Sequence, residues 1–103
     1  MTRMTHKVQA IVIHEKDTVA VALEALPAGI DVGVGIGDGY VRIRLASDIP
    51  MGHKFALLDI EKGAPVIKYG EPIGESTAPI ARGEHVHVHN LAGRNQKKEG
   101  GRS

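Results

Sequence analysis

Cysteine and tryptophan are absent from this chain of 103 residues, and Tyr40, Phe55 and Tyr69 are its only Phe, Tyr or Trp residues. Without cysteine there is no disulfide framework, no thiolate metal site, no iron–sulfur ligation from this chain and no Cys nucleophile, and a reducing compartment suits it. Any metal must be held by His, carboxylate or carbonyl groups. Long apolar runs are also missing, and residues 1–7 lack the apolar core of a signal peptide. The expectation is a soluble, cytoplasmic protein with no membrane association. The length allows one small domain and excludes a large multidomain enzyme.

Positive charge is scarce on the body of the chain. Four of the 13 basic residues, Arg94, Lys97, Lys98 and Arg102, fall in a Gly-rich terminal segment with one acid, Glu99. Residues 1–92 therefore carry a net charge of −2. Nucleic-acid recognition needs a basic face on the folded body and usually stacking aromatics, so no nucleic-acid partner is expected. Residues 1–92 read as the domain. Residues 93–103 have no apolar group to dock and read as a disordered basic tail.

Local patterns point to a mostly β chain with one short helix. Gln9 to Ile13 reads as a strand ending at His14. Val19, Ala22, Leu23 and Leu26 then recur at helical spacing, with Asp17 placed as an N-cap and Pro27 and Gly29 as a stop. A helix of about nine residues depends on packing for its stability. From Ile30 the period becomes two: Val32, Val34 and Ile36 alternate with glycines, Asp38-Gly39 suits a tight turn, and Val41, Ile43 and Leu45 alternate with Arg42 and Arg44.

A cassette recurs four times: an aliphatic residue, two variable residues, Gly, two variable residues, then a hydrophobic residue. The copies are Leu26-Pro-Ala-Gly-Ile-Asp-Val32, Ile49-Pro-Met-Gly-His-Lys-Phe55, Ile60-Glu-Lys-Gly-Ala-Pro-Val66 and Ile80-Ala-Arg-Gly-Glu-His-Val86. Each reads as an anchor, a turn whose Gly takes a left-handed conformation, and entry into a strand. Strands are expected to begin near Phe55, Val66 and Val86. The irregular spacing of the copies is not that of a solenoid.

The Gly-rich stretch 33–39 does not bind nucleotide phosphates on this pattern. Asp38 stands where a dinucleotide fingerprint requires its third Gly, no helix follows, and no Lys-Ser or Lys-Thr pair completes a P-loop. It reads as a hairpin with close backbone approach. No elbow motif surrounds Ser47 or Ser76, so a hydrolytic triad is unsupported.

Histidine is the informative residue. Three of the six lie in Glu84-His-Val-His-Val-His-Asn90. On a strand His85, His87 and His89 share one face while Val86 and Val88 face the core, and imidazoles at i and i+2 can converge on one cation. A solvated, His-rich edge is the competing reading. His14 follows a strand directly, His53 sits in a turn, and Lys54 beside it offers a cation to a carboxylate or sulfonate. Asn90 offers a directed hydrogen bond or ends the strand.

Taken together, Ile13-His14, Asp17-Thr-Val-Ala-Val-Ala-Leu23, Leu26-Pro-Ala-Gly29, Asp48-Ile-Pro-Met-Gly-His-Lys-Phe-Ala-Leu57, Ile60-Glu-Lys-Gly63, Val66-Ile-Lys-Tyr-Gly70, Pro72-Ile-Gly74 and Gly83-Glu-His-Val-His-Val-His-Asn90 resemble the small module of the altronate and galactarate dehydratase family. The resemblance implies an SAF domain with the β-clip fold. In that family the module precedes a large catalytic domain or stands as a separate small subunit, as in altronate dehydratase small chains and the α subunit of sulfolactate sulfo-lyase. It implies a large catalytic partner subunit and metal-dependent β-elimination from a sugar acid or related hydroxy acid, with loss of water or sulfite. The implied metal is divalent, Fe(II) in the complex, with Zn(II) or Mn(II) as alternatives. Carried over by motif, His14, His53 and His89 are catalytic candidates, Lys54 and Asn90 substrate-binding candidates, and His14, His53, His87 and His89 metal candidates. His85 stands where relatives carry an aromatic residue and is a secondary candidate. A stand-alone module that binds acidic carbohydrates is the alternative, and a free-standing His-only metalloenzyme is disfavoured by the small core. A homo-oligomer is compatible with the sequence.

Overall fold

The four cassettes build the fold in two exchanged pairs. The structure is a computed structural model and describes residues 7–93. In every cassette the glycine takes a left-handed backbone, with φ of 89° at Gly29, 83° at Gly52, 86° at Gly63 and 85° at Gly83. The first anchor, Leu26, exchanges both backbone hydrogen bonds with the second, Ile49, and the third, Ile60, does the same with the fourth, Ile80, at 2.8–2.9 Å. All four anchors are buried, and so are the closing residues Val32, Phe55, Val66 and Val86.

A second contact repeats with the first. The Gly29 N–H donates to the Leu45 carbonyl, and the Leu45 N–H donates to Ile30. The same double bond joins Gly52 and His53 to Ala22, Gly63 and Ala64 to Ser76, and Gly83 and Glu84 to Ala56. In each case the receiving residue lies four positions before the anchor of the paired cassette. The turns are thus held by their partners, because a short turn cannot satisfy its own backbone groups.

Among the described residues nine strands result: β1 (Ala10–Val12), β2 (Val19–Ala22), β3 (Asp31–Ile36), β4 (Gly39–Arg44), β5 (Lys54–Ala56), β6 (Pro65–Lys68), β7 (Glu71–Ser76), β8 (His85–Val86) and β9 (Leu91–Gly93). Six form a sheet in the order β4-β3-β1-β2-β5-β8, and three form a sheet in the order β6-β7-β9. The β1–β3 pair is parallel and the other pairs are antiparallel. One core cluster gathers Leu26, Val32, Ile43, Leu45, Ile49 and Phe55 around β1 and β2. The other gathers Val19, Ala56, Ile60, Val66, Ile80 and Val86. The mostly β architecture is the one the sequence predicts for an SAF-type β-clip, and strands begin at Lys54, Pro65 and His85, each one residue before the cassette's closing residue.

The predicted short helix is absent, and its residues form β2. Val19–Ala22 pairs with β1 on one side, Ala10 opposite Ala22, and with β5 on the other, Val19 opposite Ala56. Two ladders satisfy these backbone groups while β-branched Val19 and Val21 fit the pleat, so tertiary pairing overrides a helical period only a few residues long. Asp17 is consequently not an N-cap. Its buried carboxylate accepts the His14 N–H at 3.0 Å and the Gly70 N–H at 2.8 Å, stapling the β1–β2 loop to the β6–β7 turn.

The hairpin of β3 and β4 turns one residue earlier than predicted. Ile36 pairs with Gly39, leaving Gly37 and Asp38 as the turn, and only Gly37 has positive φ, at 56°. That is the preference of a two-residue turn with glycine first. The expected close approach is present at Gly33, where a methyl group would overlap the Lys7 carbonyl oxygen and the Tyr40 hydroxyl. The predicted tail lies, from residue 94 onward, outside the described residues, while Gly93 ends β9. Among the described residues no helix is long and apolar enough to cross a membrane.

Candidate functional site

Strand register brings distant histidines together. β5 and β8 pair with Lys54 opposite Val86 and Phe55 opposite His85. One step outward along that ladder sets His53 opposite His87, with His85 as the diagonal neighbour of His53. The rings obey this arithmetic. His53 and His87 stack with centroids 4.3 Å apart, His53 and His85 at 5.1 Å, and His85 and His87 at 5.5 Å. His53 Nδ1 and His85 Nε2 stand 2.8 Å apart in a hydrogen bond. One ring nitrogen from each of His53, His85 and His87 lies within 4.8 Å of the others.

The chain does not continue as the predicted strand beyond Val86. β8 ends there and residues 87–90 turn, so Val88 is 81% exposed instead of facing the core. Asn90 makes the turn. Its buried side chain accepts the His87 N–H through Oδ1 at 2.9 Å and donates through Nδ2 to the His85 carbonyl at 2.8 Å, while the Asn90 N–H reaches the His87 carbonyl at 3.0 Å. Both polar ends of Asn90 are therefore engaged in fixing His85 and His87. His89, exposed on the turn, places its ring 5.3 Å from that of His85.

His14 is not brought to this cluster. Its Nδ1 accepts the Lys16 N–H at 3.0 Å, and its ring covers Gly70, where an added methyl would meet three ring atoms at 3.0 Å. The turn beneath it, Tyr69-Gly70, has positive φ at both residues, 59° and 74°. That is the pattern of the hairpin turn joining Lys68 to Glu71 across β6 and β7. Tyr69 is exposed, and the Lys68 ammonium lies 3.8 Å from its ring centroid.

Lys54, the first residue of β5, follows His53 directly and is partly buried. Its pKa is lowered, first by burial and then by the charge of Lys68, against a smaller opposite influence of Tyr69. His85 is lowered by burial, then by His53, His89, His87 and Lys54, and half-buried His87 by burial, then by His53, Lys54 and His89. Lys54 thus lies within electrostatic reach of both the imidazoles and the Lys68–Tyr69 turn. These shifts favour neutral imidazoles at pH 7, the form that accepts a proton or ligates a metal.

The cluster holds three imidazoles and no carboxylate among the described residues. Such a nitrogen donor set fits a borderline divalent cation. His85 is the residue that sequence reasoning underrated. Its signal was available in the His-x-His-x-His alternation, but its partnership with His53, 32 residues earlier, follows only from the β5–β8 pairing.

Residues 8–94 match the family described as the altronate/galactarate dehydratase SAF domain. The chain is 55% identical over 82 residues to altronate dehydratase of Escherichia coli (strain K12), covering 80% of this chain and 16% of that protein. It is 38% identical over 76 residues to galactarate dehydratase (L-threo-forming) of the same organism, covering 74% of this chain and 14% of the relative. The chain thus spans about one sixth of the length of these dehydratases. With the (2R)-sulfolactate sulfo-lyase subunit alpha of Chromohalobacter salexigens it shares 37% identity over 84 residues, covering 78% of this chain and 89% of that subunit. A repeated turn-and-strand scaffold carrying a histidine face, and this match over most of its length, lead to one assignment: the chain belongs to the altronate/galactarate dehydratase SAF-domain family.

Proposed function

We propose that the chain is the small SAF component of a carbon–oxygen hydro-lyase that eliminates water from a sugar acid such as altronate or galactarate, working with a large catalytic subunit. The observation that carries this reading is the imidazole cluster presented on a module 55% identical to part of a dehydratase. β-Elimination next to a carboxylate requires a base for the α-proton and an acid for the departing oxygen; neutral imidazoles at His85 and His87 suit the first role near pH 7, and the second falls to a bound metal or to the partner subunit. The Lys54 ammonium supplies the charge that pairs with a carboxylate, and no ion pair among the described residues occupies it. Asn90 holds His85 and His87 at their positions without needing to touch substrate. A divalent metal, in the complex Fe(II), supplies Lewis acidity toward the leaving group when bound.

A second reading is the α subunit of a sulfo-lyase acting on sulfolactate. It is favoured by the match over 89% of a relative that is itself a separate small subunit. Anaerobic affinity purification of this chain from its host, with metal analysis and identification of any co-eluting large protein, tests both. Recovery of a large subunit in fixed ratio, with keto-acid formation from altronate or galactarate, supports the first reading, and sulfite release from sulfolactate supports the second. A partner-free chain that binds sugar acids without turning them over would replace both with a carbohydrate-binding module.

A further inference from the structure

We propose that this chain carries a divalent-cation site of its own, formed by His53, His85 and His87, which selects a late first-row ion such as Zn(II) over Fe(II). The site rests on the geometry of one protein and not on the choice of partner or substrate made above, so the two readings fail separately.

Three independent backbone constraints build it. His53 follows the left-handed Gly52 and is fixed by the Ala22 N–H, which donates to its carbonyl at 2.9 Å. His85 is the first residue of β8 and pairs with Phe55. His87 is pinned by Asn90, whose Oδ1 receives its N–H. Three imidazoles positioned by a turn, a ladder and a side-chain hydrogen bond are preorganised, and the rotamer freedom lost on binding is correspondingly small.

The distances fit coordination. Around a tetrahedral Zn(II) with Zn–N of about 2.0–2.1 Å, ligand nitrogens lie roughly 3.4 Å apart. The 4.8 Å envelope of the three nitrogens contracts to this by small ring rotations, and the 2.8 Å His53–His85 contact opens to it as the shared N–H gives way to two lone pairs. The hydrogen that one ring donates to the other would move to that ring's far nitrogen, which leaves both facing lone pairs free for a cation. A fourth ligand is available from the exposed turn. His89, its ring 5.3 Å from His85, or water completes the set. Three protein ligands with an open fourth position are the arrangement of a reactive zinc rather than a purely structural one.

Selectivity follows from donor type. Nitrogen ligands bind divalent first-row ions increasingly from Mn(II) and Fe(II) to Cu(II), with Zn(II) above Fe(II), and ferrous sites of open type usually recruit a carboxylate. None joins the cluster among the described residues.

The test uses the untagged full-length chain stripped with EDTA and titrated with Zn(II), Co(II) and, anaerobically, Fe(II) by calorimetry. Co(II) d–d absorption reports coordination number. The expected result is one Zn(II) per chain, a tetrahedral Co(II) spectrum and weaker Fe(II) binding. His53→Ala, His85→Ala and His87→Ala should each weaken Zn(II) binding at least about 100-fold, more than loss of an outer hydrogen-bond partner, while His14→Ala leaves it unchanged. Should a variant unfold, Zn(II)-induced NMR shifts of the His53, His85 and His87 ring protons in the unaltered chain report the same ligand set. No stoichiometric Zn(II) binding, Fe(II) binding tighter than Zn(II), or ring shifts confined to other histidines would overturn the proposal.

Discussion

Replacing Asn90 by Ala should unhook the histidine turn and lower stability together. Asn90 is 4% exposed and makes two side-chain hydrogen bonds, 2.9 Å from the His87 N–H and 2.8 Å to the His85 carbonyl. Each is worth about 1 kcal/mol net, and both partners lose it, so Asn90→Ala should cost about 2 kcal/mol. For a domain of this size that lowers the melting temperature by roughly 8–16 °C. Asn90→Asp keeps the acceptor for His87 and sets an acceptor against the His85 carbonyl, so it should melt between the two. Thermal unfolding followed by circular dichroism gives the order, and amide spectra locate the change at residues 85–90. A melting temperature for Asn90→Ala within about 2 °C of the parent would refute the assignment of the turn to this side chain.

Other expectations test neighbouring parts of the fold. Val86→Ala, at a fully buried position, should cost about 2 kcal/mol, whereas Val88→Ser, on an 81% exposed side chain, should stay within about 0.5 kcal/mol; equal costs in urea melts would mean that the strand continues through His89 after all. Gly63→Ala meets only the left-handed backbone penalty, about 1 kcal/mol after the entropy it removes from the unfolded chain. Gly83→Ala adds overlap with the Arg44 carbonyl oxygen and should cost about 3 kcal/mol or more, so chemical denaturation must rank Gly83 well above Gly63. Asp17→Ala removes the acceptor of the His14 and Gly70 N–H groups and should destabilise by about 3 kcal/mol, with Asp17→Asn losing less; faster hydrogen exchange at the Gly70 amide is the direct readout.

The cassettes were legible because their information is local. A glycine three residues after a buried aliphatic, with a hydrophobic residue three further on, encodes a left-handed turn into a strand whatever lies around it. What was illegible is which cassette holds which. Leu26 meets Ile49 and Ile60 meets Ile80 across loops of different length, and no spacing distinguishes this exchange from others. The β2 residues failed for a related reason: Val19, Ala22, Leu23 and Leu26 satisfy a helical period, and only β1 and β5, contributed from elsewhere in the chain, make the strand the lower-energy choice. The alternation of His85, His87 and His89 likewise predicts a continuous strand, because nothing in a period-two pattern announces that Asn90 will reach back to His85.

The same exchange explains why the histidines meet. In every cassette the glycine and the residue after it are held by backbone bonds to the residue four positions before the partner cassette's anchor, so the one or two positions after the glycine are fixed in space but free in side chain. They read Ile30-Asp31, His53-Lys54, Ala64-Pro65 and Glu84-His85. Ala56 lies directly after the second cassette and holds the fourth, through the Gly83 N–H and the Glu84 carbonyl. That single junction sets the second and fourth turns side by side, and these two carry the histidines. The repeated scaffold thus supplies four turns with the same left-handed glycine, and the clustered imidazoles fall on or just after the two copies that the junction at Ala56 makes neighbours.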